Sequence, residues 1–112
     1  MKNDRFLSML GLAARAGKVA SGEFSAEKAV KEGKAYLVII AEDASDNTKK
    51  RFVNMCTYYE VPYLIAYDKD TLGYSIGRQM RTSAAVTDGN FANGLFGIRP
   101  DIIRDTKDTE KD

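Results

Sequence analysis

The sequence contains no histidine and a single cysteine, Cys56, among its 112 residues. Without histidine the commonest general base of enzymes is missing, and a zinc site is disfavoured because its usual ligands are cysteine and histidine. One cysteine cannot form a disulfide within the chain. Cys56 falls on the apolar face of a predicted helix, so we expect a buried structural thiol. The composition therefore argues against a metalloenzyme or a histidine-dependent enzyme, and no cofactor is expected.

Long apolar segments are missing as well. No run reaches the ~18 residues of a membrane span, and the N-terminal segment carries charges throughout, unlike a secretory signal. We therefore expect a cytoplasmic protein with no membrane contact. The phosphate-binding patterns G-x-x-x-x-G-K-S/T and G-x-G-x-x-G are also missing. An enzyme acting on a phosphorylated small molecule is the least favoured class, and no small-molecule substrate is predicted.

The net charge of +1 is unevenly distributed along the chain. Residues 1–100 carry 14 basic and 11 acidic side chains, a balance of +3, whereas residues 101–112 carry 3 basic and 5 acidic ones, a balance of −2. We expect residues 1–100 to form one monomeric domain and residues 101–112 to form a frayed polar tail. The mildly basic body permits binding to nucleic acid without demanding it.

Apolar periodicity predicts an alternation of helices and strands. Phe6, Leu10 and Ala13 share one face of a first helix, and a β-branched run at 35–41 is typical of a central strand. The predicted order is α-β-α-β-α-β-α-β-α. Because such alternation places helices on both faces of a sheet of about four strands, the predicted fold class is α/β.

The stretch KVASGEFSAEK, residues 18–28, opens the second predicted helix. A helix start at Gly22 offers unpaired backbone N–H groups and a partial positive charge, which attract phosphate. Gly22 has no Cβ, so a nucleic-acid backbone can approach closely, and Lys18 and Lys28 flank it in sequence. On this interpretation a bulky residue at position 22 weakens binding but changes stability by less than ~1 kcal/mol. Glycine and serine are also ordinary helix caps, so capping is the simpler interpretation of this stretch alone.

Phe24, in the first turn of that helix, lies off its apolar face. It is about 200° around the helix from Ala26. Either it packs against Val19 or Ala20 as a hydrophobic staple, or it stays exposed and available for stacking on a base.

A second basic window is GRQMRTS, residues 77–83, between a predicted helix and the last strand. Such a segment is either a solvated loop or a binding loop. In a binding loop, Arg78 and Arg81 would grip a phosphate backbone while Gln79 and Met80 lie against bases.

Several stretches taken together resemble one known family. They are LGLAARAGKVASGE, KAYLVIIAEDASDNTKKRF, YYEVPY, LGYSIGRQMR and AVTDGNFA. From about residue 6 to residue 92 the sequence is similar to bacterial YlxQ-type proteins, members of the superfamily of kink-turn-binding ribosomal proteins. The resemblance implies a three-layer α/β/α sandwich with a mixed sheet. It also implies a non-catalytic, translation-associated protein that binds a kink-turn, an RNA helix bent sharply at a bulge beside sheared G·A pairs.

The resemblance also implies where RNA is bound. In the family, the loop at the helix start enters the groove at the G·A pairs, and the loop before the last strand covers the bulge. The predicted RNA-binding residues are Lys18, Gly22, Glu23, Phe24, Ser25, Lys28, Lys34, Glu42, Arg78, Gln79, Met80 and Arg81.

At one pair of positions the sequence departs from the family pattern. Archaeal and eukaryotic members carry Asn-Glu where this sequence has Phe24-Ser25. A phenylalanine side chain has no hydrogen-bonding group, and Ser25 replaces a carboxylate only in part. Glu23, one position earlier, is the remaining acidic candidate. The alternative function is therefore a protein-interaction module that keeps the fold and uses Phe24 as an apolar contact.

Overall fold

A computed structural model describes residues 4–104, in which five helices alternate with four strands. The predicted element order is confirmed, with ends that differ by a few residues. The elements are α1 (Arg5–Arg15), β1 (Val19–Ser21), α2 (Glu23–Lys31), β2 (Leu37–Ile40), α3 (Asp46–Tyr59), β3 (Tyr63–Ile65), α4 (Lys69–Ser75), β4 (Ser83–Val86) and α5 (Gly89–Ile98).

The four strands form one mixed sheet in the order β1-β4-β2-β3. Strand β4 is antiparallel to both β1 and β2, whereas β2 and β3 are parallel. The buried β-branched run forms β2, and all four of its residues are buried. A strand that is covered on both faces has a continuous apolar sequence, and β2 could be predicted for this reason.

Helices cover both faces of the sheet, so the predicted α/β/α sandwich is confirmed. Alternate residues of β2 point to opposite faces. Leu37 and Ile39 pack into a cluster with residues of α1, α4 and α5, while Val38 and Ile40 pack into a second cluster with residues of α2 and α3. Cys56 of α3 belongs to the second cluster and is fully buried, as predicted; burial raises the pKa of its thiol to about 12.

One end of the sheet gathers several segment ends. Strand β1 finishes there at Ser21, which lies opposite Ala84, and β2 finishes at Ile40, which pairs with Ser83 at the start of β4. Helix α2 begins directly after β1, and the loop after α4 leads into β4. The antiparallel pairing of β1 with β4 therefore brings the start of α2 beside the loop 77–82.

The folded domain extends beyond residue 100. Ile102 is buried in the core, Ile103 pairs with Tyr63 in an isolated antiparallel bridge, and Arg104 lies 4.4 Å from the ring centre of Phe96. Residues 101–104 therefore belong to the domain, which corrects the expected boundary. The apolar pair at 102–103 was the only signal for this packing. The rest of the expected tail, residues 105–112, lies outside the described residues.

No helix within residues 4–104 is long and apolar enough to cross a membrane. The same residues contain no group of three or more histidine, cysteine, aspartate or glutamate side chains that could hold a metal ion.

Candidate functional site

Helix α2 begins at Gly22 without a side-chain cap. Gly22 has φ 94° and ψ 159°, a combination that residues with a Cβ essentially do not adopt. Its own N–H donates to the carbonyl of Ser83 at 2.9 Å, which fixes the helix start onto β4. No acceptor within residues 4–104 takes the N–H groups of Glu23, Phe24 or Ser25. These three donors are therefore available to an outside acceptor.

An open groove of about 440 Å³ lies in front of this helix start. We call it the helix-start groove. Its lining residues are Ser21, Gly22, Glu23, Phe24, Ser25, Met80, Arg81 and Thr82. The structure thus brings together two windows that sequence analysis singled out separately, although Ser21 and Arg81 are 60 residues apart.

Arg81 lies beside Gly22 on one wall of the groove. A Cβ added at Gly22 would be 4.0 Å from the Arg81 Cδ and Nε atoms, an ordinary contact distance. The glycine is therefore required by its backbone conformation and not by crowding. Arg81 donates from Nη1 to the Met80 carbonyl at 2.9 Å and makes a longer contact from Nε to the Ser21 hydroxyl at 3.4 Å. Its guanidinium has five N–H donors, so most remain available within the described structure.

Glu23 joins three segments through its carboxylate. Oε1 accepts from Nη2 of Arg51 at 2.8 Å, while Oε2 accepts from the hydroxyls of Thr82 at 3.0 Å and Thr48 at 3.3 Å. Helix α3 and the loop before β4 are thereby tied to the first residue of α2. Because Thr82 lines the helix-start groove and donates to Glu23, the Glu23 carboxylate holds this wall of the groove in place.

The loop 77–82 packs closely against α4. The amide of Arg78 donates to the Gly73 carbonyl at 2.8 Å, and the amide of Arg81 donates to the Lys69 carbonyl at 3.0 Å. A Cβ at Gly73 would overlap the carbonyl of Gln79. The loop position therefore depends on a glycine in the preceding helix.

A second open groove, of about 610 Å³, adjoins this loop. We call it the Tyr74 groove. Its lining residues are Tyr74, Gly77, Arg78, Gln79 and Arg81. Tyr74 is not among the residues predicted from the sequence. The available signal was helical periodicity, since Tyr74 lies about 200° around α4 from the buried Leu72.

Phe24 is 81% exposed, so the staple contact with Val19 or Ala20 does not form. It lines a shallow groove of about 370 Å³ with Lys28, Glu27, Lys31 and Glu32, which we call the Lys28 groove. Nζ of Lys31 lies 2.8 Å from a carboxylate oxygen of Glu27, and this hydrogen bond is the main cause of the lowered pKa of Glu27. The Lys28 groove is therefore balanced in charge.

Three predicted site residues line none of the three grooves. Lys18 precedes β1 and accepts a backbone hydrogen bond from Thr87, at the opposite end of the sheet. Lys34 follows the far end of α2 and pairs with Glu32 at 3.4 Å. Glu42 lies at the correct end of the sheet, where its carbonyl accepts from Nζ of Lys49 at 2.9 Å, but its side chain lines none of these grooves.

Solved structures with the same fold include two whose chains are covered almost completely. A Bacillus halodurans protein described as having unknown function matches with a TM-score of 0.78 and 36% identity, covering 84% of this chain and 95% of that one. A Giardia lamblia 15.5 kD RNA binding protein matches with a TM-score of 0.72 and 27% identity, covering 87% and 89%.

Two relatives found by sequence are also named as RNA-binding proteins. The RNA-binding protein YlxQ of Bacillus subtilis is 44% identical over 98 residues, which cover 88% of this chain and 98% of that protein. Its namesake in Enterococcus faecium is 35% identical over 83 residues, covering 74% and 81%. The model of the Ribosomal protein L7Ae/L30e/S12e/Gadd45 family matches residues 4–95. The resemblance inferred from the sequence is confirmed, and the chain belongs to the Ribosomal protein L7Ae/L30e/S12e/Gadd45 family.

Proposed function

We propose that this protein binds structured RNA without catalysing a reaction, and that the helix-start groove is its principal contact. The observation that carries the proposal is the meeting of an uncapped helix N-terminus with Arg81 in one open groove. The names of the two YlxQ relatives and of the Giardia lamblia structure describe RNA-binding proteins, which supports this function. Membership of a ribosomal protein family supports action in the cytoplasm, in association with translation.

A phosphate group fits the start of α2 on electrostatic grounds. The free N–H groups of Glu23, Phe24 and Ser25 and the positive end of the helix dipole favour a phosphate oxygen. Gly22 has no side chain to block the approach, and the guanidinium of Arg81 adds a planar donor beside it. Lys28 forms no ion pair within residues 4–104, so its ammonium group is available to a phosphate.

The RNA we propose is a kink-turn. Its bent helix exposes sheared G·A edges to the helix-start groove, where the exposed hydroxyl of Ser25 both donates and accepts hydrogen bonds. Met80, which is 54% exposed, supplies an apolar surface for an unpaired base, and Arg78 and Gln79 provide polar contacts beside it. We assign Glu23 a positioning role, because its carboxylate is occupied by Arg51, Thr48 and Thr82.

A gel-shift titration tests both levels of the proposal. The protein is titrated with a kink-turn RNA and with the same RNA after replacement of its G·A pairs by Watson–Crick pairs. We expect tighter binding to the kink-turn and a shallow dependence on salt, since few phosphates are contacted. Equal affinity for both RNAs would refute kink-turn recognition, and failure to bind either would refute RNA binding.

The exposure of Phe24 favours a second candidate function, a contact with another protein. The Lys28 groove, which Phe24 lines, is balanced in charge, and this suits a protein surface better than a polyanion. A complex that survives nuclease and high salt, and that is lost in Phe24→Ser, would support this function. Loss of the complex on nuclease treatment would refute it.

A further inference from the structure

Tyr74 is the most exposed large hydrophobic side chain within residues 4–104, at 82%. It stands on the outward side of α4, while Leu72 and Gly73 of the same helix are buried. No hydrogen bond or ring contact within the described structure involves its side chain. An exposed tyrosine alone is an ordinary surface feature. Its surroundings distinguish this one.

The Tyr74 groove contains two arginines and no acidic residue. Neither Arg78 nor Arg81 forms an ion pair with a described residue. Phe24 differs, because both grooves that it lines contain glutamate: Glu27 and Glu32 in the Lys28 groove, and Glu23 in the helix-start groove. A nucleotide needs a flat apolar face for its base and cations for its phosphate. Of the helix-start, Lys28 and Tyr74 grooves, as the described residues form them, the Tyr74 groove offers both without a carboxylate in its lining.

The walls of the Tyr74 groove are held in place before any ligand arrives. The amide of Gly77 donates to the Tyr74 carbonyl at 3.0 Å, and the amide of Arg78 donates to the Gly73 carbonyl at 2.8 Å. The close contact between Gly73 and Gln79 leaves the loop no room to move toward the helix. Little ordering of the backbone is therefore needed on binding, which favours affinity.

The Tyr74 groove continues the helix-start groove. Arg81 lines both grooves, and Met80 of one directly follows Gln79 of the other along the chain. A phosphate at Gly22 and a nucleotide at Tyr74 would therefore both lie beside Arg81.

We propose that the Tyr74 groove is a second RNA subsite, in which an unpaired nucleotide of the bound RNA stacks its base on the Tyr74 ring. Arg78 and Arg81 contact the phosphates on either side of this nucleotide. The inference rests on the proposed RNA-binding function and adds a subsite, and its occupant, to it. Stacking on an aromatic ring tolerates every base, so the subsite selects an unpaired nucleotide and not a sequence.

A combined protein and RNA substitution series tests the subsite. Wild type, Tyr74→Ala, Tyr74→Phe and Tyr74→Leu are titrated with a kink-turn RNA, and an abasic nucleotide is then placed at each unpaired position in turn. Tyr58→Ala is the matched control, since it removes another exposed tyrosine ring, 74% exposed, that lines none of the three grooves. Thermal unfolding of each variant checks that the fold is retained.

We expect Tyr74→Ala to weaken binding about 5- to 150-fold, the range for loss of one base–aromatic stack. Tyr74→Phe retains the ring and stays within about 2-fold of wild type, while Tyr74→Leu behaves like Tyr74→Ala because it lacks a π face. At one unpaired position, the abasic RNA should bind wild type as weakly as the intact RNA binds Tyr74→Ala. The same abasic change should cause no further loss of affinity in Tyr74→Ala. Such non-additivity identifies the stacked nucleotide.

Three results would overturn the subsite. If wild type binds the RNA and Tyr74→Ala binds equally well, or if the abasic effects add to it at every position, the subsite is absent while the proposed function stands. If wild type binds no RNA, the proposed function fails and the subsite fails with it.

Discussion

Helices α2 and α3 pack on the same face of the sheet but begin differently. At α3 the Ser45 hydroxyl oxygen accepts from the Thr48 amide at 3.1 Å, so the helix caps itself. At α2 the corresponding residue is Gly22, which has no side chain, and the first three amides of the helix have no acceptor within residues 4–104. Helices α1, α4 and α5 are capped by Asp4, Asp68 and Asp88.

The two helix starts differ in whether the chain supplies an acceptor for its own N–H groups. A self-capped start is an element of stability, typically worth ~1 kcal/mol. The uncapped start of α2 forgoes that gain and faces an open groove beside Arg81. If RNA is the missing acceptor, then changes at the start of α2 and in the loop 77–82 alter binding, whereas loss of the Ser45 cap of α3 alters mainly stability.

Gly73→Ala has the largest expected effect. The added Cβ would meet the Gln79 carbonyl and force the loop 77–82 away from α4, which removes a wall shared by both grooves. We expect stability to fall by about 1–3 kcal/mol and RNA affinity to fall by more than about 100-fold, the loss of two charge-assisted contacts. Gly97→Ala in α5 is the matched control, because nothing lies within 4 Å of its Cβ. Normal binding by a folded Gly73→Ala would show that the loop is not needed.

Gly22→Ser makes the start of α2 resemble that of α3. The backbone angles of Gly22 exclude residues with a Cβ, so we expect a cost of about 1–3 kcal/mol in stability. If the new hydroxyl occupies the free amides, RNA affinity falls about 10-fold or more. Gly33→Ser, at the other end of the same helix and also at a positive φ, controls for strain. An equal loss of RNA affinity in both variants would mean that strain, and not the helix start, weakens binding.

Thr82→Val tests whether Glu23 positions the groove. The change removes the hydroxyl that donates to Glu23 at 3.0 Å and keeps the shape of the side chain. We expect about a 5-fold loss of RNA affinity, equivalent to one hydrogen bond of ~1 kcal/mol. Thr82→Ser keeps the hydroxyl and should bind normally. The effects of Thr82→Val and Glu23→Gln should be less than additive, whereas fully additive effects would contradict a shared role.

Ser45→Ala has the smallest expected effect on binding. Loss of the α3 cap lowers stability by ~1 kcal/mol, measured by urea unfolding, because the Thr48 amide loses its acceptor. RNA affinity should stay within about 2-fold of wild type, since Ser45 lines neither the helix-start groove nor the Tyr74 groove. A loss as large as that of Gly22→Ser would remove the contrast between the two helix starts.

The fold could be predicted because its signals are local. The apolar run of β2 and the periodic faces of α1 and α2 each follow from neighbouring residues. The exposure of Phe24 was one of two outcomes that its helical position allowed, and the structure selects it.

The candidate site was only partly predictable, because its geometry depends on contacts distant in sequence. The carboxylate of Glu23 meets Thr82 across 59 residues, a contact that no periodicity indicates. Lys18 lies close to Gly22 in sequence and Lys34 is implied by the resemblance, but β1 and α2 carry these two lysines away from the helix-start groove. The positive φ of Gly22 has no signal in the sequence either, and it raises the expected cost of replacing Gly22 from less than ~1 kcal/mol to about 1–3 kcal/mol.

The most direct test of RNA binding at the start of α2 is to follow backbone amide resonances by NMR while a kink-turn RNA is added. If RNA supplies the missing acceptor, the largest shifts occur at Glu23, Phe24 and Ser25 and at Arg81, while the capped amide of Thr48 hardly moves. Shifts centred on α1 and α5, with the amides of residues 23–25 unchanged at saturation, would contradict RNA binding at the start of α2.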